Sequence, residues 1–131
     1  MIGNPPYKEV SENREKLFFQ DKYKDVLTGH YDLFIFFFKR GIEILGKNGI
    51  NSFITPHTFL IYSQFENLRK WIHNNTSILE ITDRIESVFE SAVVDNSISI
   101  IIKEGLKNTN GFKTRFTKYK YDGKLLSLCN E

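Results

Sequence analysis

Between Tyr31 and Leu45 the chain reads YDLFIFFFKRGIEIL, with apolar residues at 34, 37, 38, 42 and 45 and more at 33, 36 and 44. Steps of three and four residues put these on one broad helical stripe, which predicts a largely buried helix. Gly46 and then Asn48-Gly49 tolerate positive φ, so the helix ends there and the chain turns. The next stretch, INSFITP, mixes β-branched and aromatic residues and closes on a proline; it predicts a strand ending at Thr55. A second helix is expected from about Thr58 to Asn74, with Ile61, Phe65, Leu68 and Ile72 on its apolar face and Gln64, Asn67, Lys70 and His73 opposite. Two further strands follow, SILEITDRI at 77–85 and NSISIIIKE at 96–104. In the latter, Ile98, Ile100 and Ile102 alternate with Ser97, Ser99 and Ile101, so at least one face is wholly apolar. Alternating helices and strands, short links and no internal repeat predict an α/β fold with helices against a mostly parallel sheet.

The two ends carry weaker patterns. Residues 8–30 hold five Lys/Arg and five Asp/Glu around the apolar island Leu17, Phe18 and Phe19, which suggests a solvated loop or short helix. After Gly111, FKTRFTKYKYDGKLLSL interleaves bases and rings up to Asp122-Gly123, a dipeptide favoured in hairpin turns. This divides the chain into residues 1–110, the α/β unit, and 111–131, a basic aromatic hairpin that begins a following segment. Between 103 and 124 stand seven Lys/Arg against Glu104 and Asp122. Lys113, Arg115, Phe116, Lys118 and Lys120 are therefore candidates for nucleic-acid contact, cations to phosphates and rings to bases. A charged edge strand that avoids aggregation would look the same.

Composition narrows the classes. The 131 residues include twelve Phe and six Tyr and are 40% hydrophobic, ample for a core and against general disorder. One cysteine, Cys129, permits no internal disulfide, no Cys/His cluster has metal-ligand spacing, and no metal is expected. The longest apolar run, LFIFFF, is far short of a membrane span, and with no signal peptide in view the expected location is cytoplasmic. A net charge of +2 is too small to diagnose a polyanionic partner by itself.

The chain opens MIGNPPY. Two adjacent prolines fix φ near −65° and remove two N–H donors, so the segment is stiff and presents carbonyl oxygens. Such a segment is a plain turn, or a rigid mount for a reactive group. Asn4-Pro5-Pro6-Tyr7, followed by the helix, turn and strand of 31–60 and then by LRKWI and VFESAVVDNSISIIIK, resembles the adenine-N6 DNA methyltransferases of the TaqI-like type II restriction-modification family over roughly residues 2–104. The resemblance implies a partial Rossmann-like fold dependent on S-adenosyl-L-methionine, namely the second half of the sheet with its flanking helices.

An exocyclic amino nitrogen conjugated to a purine is a poor nucleophile, because its lone pair is delocalised into the ring. Two acceptors on its two hydrogens localise that lone pair toward the methyl donor. The resemblance implies that the Asn4 side-chain oxygen and the Pro5 carbonyl are those acceptors, that Pro6 keeps the backbone rigid and that Tyr7 stacks on an adenine flipped out of double-stranded DNA. It also places Phe37 near the cofactor's adenine, although a Phe on an apolar helix is ordinarily core. The family's Gly-rich cofactor turn and its acidic partners stand upstream of the motif and do not occur here. The isolated chain is accordingly expected to be an inactive half-domain without cofactor affinity, and to dimerise through an exposed sheet edge or apolar faces. Glutamine or rRNA methylation by the same motif, and a non-catalytic nucleic-acid-binding module, are the alternative readings. His57, at a strand end, has no metal partners at suitable spacing, and Asp83 and Glu86 are expected to face solvent.

Overall fold

The computed structural model describes residues 1–85, 95–103, 113–121 and 126–130. The apolar stripe of the sequence folds as helix α2, Leu33–Ile44, and INSFITP as strand β2, Ile50–Pro56. Between them Asn48 takes the left-handed conformation at φ 61°, as the turn requires. The other strands are β1 (Ile2–Gly3), β3 (Thr76–Ile85), β4 (Asn96–Lys103), β5 (Arg115–Tyr121) and β6 (Leu126–Asn130). They form one sheet in the order β1-β2-β4-β3-β5-β6. Among the described residues the β1/β2 and β3/β5 pairs are parallel, while β2/β4, β3/β4 and β5/β6 are antiparallel, so the sheet is mixed and not mostly parallel. A link of residues 86–95 is shorter than the dozen or more residues of a usual crossover, so β4 returns antiparallel to β3. The β5/β6 pair is the hairpin expected from the tail, and its Asp122-Gly123 turn lies outside the described residues.

Residues 8–30 do more than contact solvent. Helix α1, Asn13–Tyr23, exposes Leu17 and Phe18, but Tyr23, Val26 and Leu27 enter the core and Phe19 stacks on Phe36 at 3.9 Å between centroids. Charge balance concealed this because the buried positions are spread thinly among acids and bases. One base is itself enclosed: Lys39 Nζ donates to both Asp25 oxygens at 2.6 and 2.7 Å and lies over the rings of Tyr23 and Trp71. That contact ties the loop after α1 to α2 and to helix α4, Glu66–Asn75.

The single helix expected over 58–74 is interrupted. Helix α3, Thr58–Ile61, stops at Tyr62, whose backbone is extended at φ −78° and ψ 140°; a 3-10 turn, Ser63–Phe65, then leads into α4. The freed carbonyls of Phe59 and Tyr62 each accept from Arg69 Nη1 at 2.7 Å, which compensates the break. Phe65, Leu68 and Ile72 reach the core, whereas Ile61 is 59% exposed.

The core lies between these helices and one face of the sheet, where Phe38 packs against Phe53 and Phe59 at 5.4 Å. Phe53 is closely walled: a Cβ built on Gly3 would come within 3.0 Å of its ring, and one on Gly41 within 3.2 Å. Register puts Asn51, Phe53 and Thr55 of β2 on this covered face beside Ile101, Ser99 and Ser97 of β4. Ile54, Ile98, Ile100 and Ile102 share the opposite face and are half-buried.

Candidate active site at the sheet edge

Strands β1 and β2 run parallel with Ile2 opposite Ser52 and Gly3 opposite Phe53. Both therefore end at the same edge of the sheet, where β1 continues into Asn4-Pro5-Pro6-Tyr7 and β2 into Pro56-His57. Open α/β sheets place ligands beyond the carboxyl ends of their strands, and this is such an edge. Asn4 and Pro6 are exposed, Pro5 is buried and Tyr7 is half-buried. The motif is restrained on its far side too, because the Lys8 carbonyl accepts from Leu33 N–H at 2.9 Å and Val10 N–H donates to the Tyr31 carbonyl at 3.0 Å. Its two ends are thus anchored to the sheet and to the start of α2.

The Tyr7 hydroxyl is buried and has no hydrogen-bond partner among the described residues, and burial pushes its pKa from its usual value near 10 to about 12. The phenol stays neutral and its ring supplies an apolar surface. At the first residue before α2, burial raises the Asp32 pKa and the nearby Glu9 charge raises it further, against a smaller opposing effect of His30. Phe37 departs from the expected stripe: it is 47% exposed and lines an apolar groove of about 360 Å³ between β1 and α2, with Met1, Phe19, Phe36, Ile44 and Phe53.

Asp83 does not face solvent. It is 4% exposed, and His57, 9% exposed, shares a hydrogen bond between its Nδ1 and the Asp83 Oδ1 at 2.5 Å. No periodicity signals this pair, since 26 residues separate its members. Glu86 lies outside the described residues. Of the candidate nucleic-acid contacts, Lys113 and Arg115 are exposed, and Arg115 is 3.6 Å from Glu80. Phe116 and Lys118 are half-buried, Lys118 in register with Asp83, and the Lys120 side chain lies outside the described residues. The basic strand is therefore not one continuous exposed row. Among the described residues no group of His, Cys, Asp and Glu could hold a metal ion, and no helix is long and apolar enough to cross a membrane.

Comparison with solved structures gives the class first. The chain superposes on a protein of Listeria monocytogenes provisionally assigned as a class I S-adenosylmethionine-dependent methyltransferase, with TM-score 0.70 and 19% identity, over 89% of this chain and 35% of that one. It likewise matches a modification subunit, provisionally assigned to a type I restriction enzyme, from Vibrio vulnificus YJ016, with TM-score 0.71 and 14% identity, over 95% of this chain and 26% of that one. The fold is a partial Rossmann-like fold of the S-adenosylmethionine-dependent methyltransferase kind. Residues 1–89 match the Eco57I restriction-modification methylase model, and the chain belongs to that family. A curated relative, RM.MjaORFECS2P of Methanocaldococcus jannaschii, provisionally assigned as a type II restriction enzyme and methyltransferase, is 32% identical over 108 residues. The alignment covers 82% of this chain, which spans only 9% of that relative's length.

Proposed function

We propose that the chain supplies the target-base half of an adenine-N6 DNA methyltransferase in a restriction-modification system. The observation that carries this reading is the position of Asn4-Pro5-Pro6-Tyr7 at the carboxyl end of β1, anchored on both sides, in a member of a restriction-modification methylase family. Asn4, exposed, offers its amide oxygen to one amino hydrogen of the adenine, and the Pro5 carbonyl accepts the other. Pro6 holds the two oxygens at a fixed separation, and the uncharged Tyr7 ring stacks on the flipped base, worth about 1–3 kcal/mol. When bound, S-adenosyl-L-methionine supplies an electrophilic sulfonium methyl. The half-exposed Phe37 ring and its apolar groove fit a flat adenine ring of that cofactor. Positioning and polarisation carry the catalysis, with no covalent intermediate on the protein.

The decisive experiment replaces Asn4 by Ala in the chromosomal gene and maps N6-methyladenine by sequencing the cell's DNA. A defined set of adenines is expected to lose methylation; an unchanged map overturns the reading. The 131-residue chain alone is proposed to be inactive and not to bind the cofactor, so micromolar binding by calorimetry would contradict that part. The exposed Lys113 and Arg115 favour a second reading, a non-catalytic nucleic-acid module. It requires salt-dependent DNA binding that survives Asn4→Ala and Tyr7→Ala but is lost when Lys113, Arg115, Lys118 and Lys120 are neutralised. The half-buried isoleucine face is also proposed to associate in pairs, and a monomeric mass by light scattering at high concentration would refute this.

A further inference from the structure

The buried pair of His57 and Asp83 has no part in the chemistry above. Taking a carboxylate and an imidazole out of water carries a desolvation penalty, and apolar residues of similar volume usually stabilise a core as well or better. Stability alone is a poor reason for this pair, and its location offers another. His57 is held from three directions: its N–H donates to the Asp95 carbonyl at 2.8 Å, its carbonyl accepts from Leu60 N–H at 3.0 Å, and its ring is fixed by Asp83 at 2.5 Å. Asp83 belongs to β3, and β4 lies between β3 and β2, so the pair ties the ends of two strands that are not neighbours. Because β1 and β2 run parallel with Gly3 opposite Phe53, the loop that follows Gly3 and the turn that follows Pro56 leave the sheet at the same end.

We propose that His57, oriented by Asp83, is a positioning residue for the Asn4–Tyr7 loop. The pair fixes the turn that ends β2, and that turn sets the direction in which the neighbouring strand presents Asn4 and Pro5. The purpose of those oxygens rests on the methyltransferase reading, whereas the mechanical coupling does not.

Nuclear magnetic resonance of the 131-residue chain tests it, with His57→Ala, Asp83→Asn and His57→Asn. The last keeps an N–H near the place of Nδ1. His57→Ala and Asp83→Asn are expected to shift the Asn4 and Tyr7 resonances, while His57→Asn leaves them at the parent's positions. A folded His57→Ala with unchanged Asn4 and Tyr7 signals overturns the proposal, as does a His57→Asn that is disturbed as much as His57→Ala. If His57→Ala does not fold, His57→Gln, whose amide reaches toward the place of Nε2 instead, replaces it under the same criteria. A responding loop together with an unchanged adenine-methylation map removes the methyltransferase reading and keeps this one. The opposite pair of results removes this one alone.

Discussion

The two faces of the sheet reverse what hydropathy suggests. Under the helices, Asn51, Thr55, Ser97 and Ser99 are exposed by 1% or less, and on the far side Ile54, Ile98, Ile100 and Ile102 keep part of their surface in water. Ile50, on that same side, is 46% exposed. The covered face is held by large rings, Phe38, Phe53 and Phe59, which leave room only for small residues beneath them; the smaller neighbours are polar, and several of their side-chain atoms have no hydrogen-bond partner among the described residues. Burial here follows the placement of helices and the volume they leave, not the polarity of each residue.

The contrast can be broken most directly in the core. Phe38→Ala should cost about 3–5 kcal/mol in urea denaturation, because that ring is fully buried, and Ile100→Ala on the other face should cost about 1 kcal/mol. Comparable losses would mean that the two faces are equally covered. Asp25→Ala should cost about 1–2 kcal/mol, read the same way, since it leaves the enclosed Lys39 ammonium to the more distant Glu43 carboxylate at 3.7 Å, while Asp25 itself is half in solvent. Ser97→Ala and Ser99→Ala test the polar atoms under the helices. Each removes a buried, unpaired hydroxyl and should raise stability by about 1 kcal/mol or leave it level, and a loss would reveal a bond to those oxygens.

Tyr7→Phe gives the smallest effect at neutral pH, a change of about 0.5 kcal/mol or less in either direction. Its alkaline behaviour is more diagnostic. The folded-state phenol pKa is raised from near 10 to about 12, so its contribution is complete below pH 10 and is lost as pH climbs through about 12. Thermal melts of the parent should decline over that window more steeply than those of Tyr7→Phe, and parallel curves would show that Tyr7 is not the group concerned.

Much of this fold was legible in the sequence. The stripe of 33–45 and the strands at 50–56, 76–85 and 96–103 follow from local periodicity, which backbone geometry enforces directly. Three features were not legible, for physical reasons. The break at Tyr62 depends on Arg69 reaching back to two carbonyls, a tertiary contact that no propensity records. The alternation in NSISIIIK marks two faces without saying which one the helices cover. Asp83 reads as a solvated acid after a strand until β3 lies one strand away from β2 and His57 meets it. The tetrapeptide Asn4-Pro5-Pro6-Tyr7 could be named from sequence, but its anchoring by Lys8 and Val10 to the start of α2 could not.

Phe53 acts as a spacer gauge. Its ring lies between Gly3, one residue before Asn4, and Gly41 on α2, and at both positions even a methyl group would crowd it. Cε1 and Cδ1 of the ring face Gly3 and Cζ and Cε2 face Gly41, so a Cβ at either position needs the ring to give by a few tenths of an ångström. A methyl group added at position 3 or 41 would push on the same ring from its two sides, one of them the residue that leads into the Asn4 loop. Two residues that contribute no side chain thus let helix, core ring and the strand before Asn4 pack this closely.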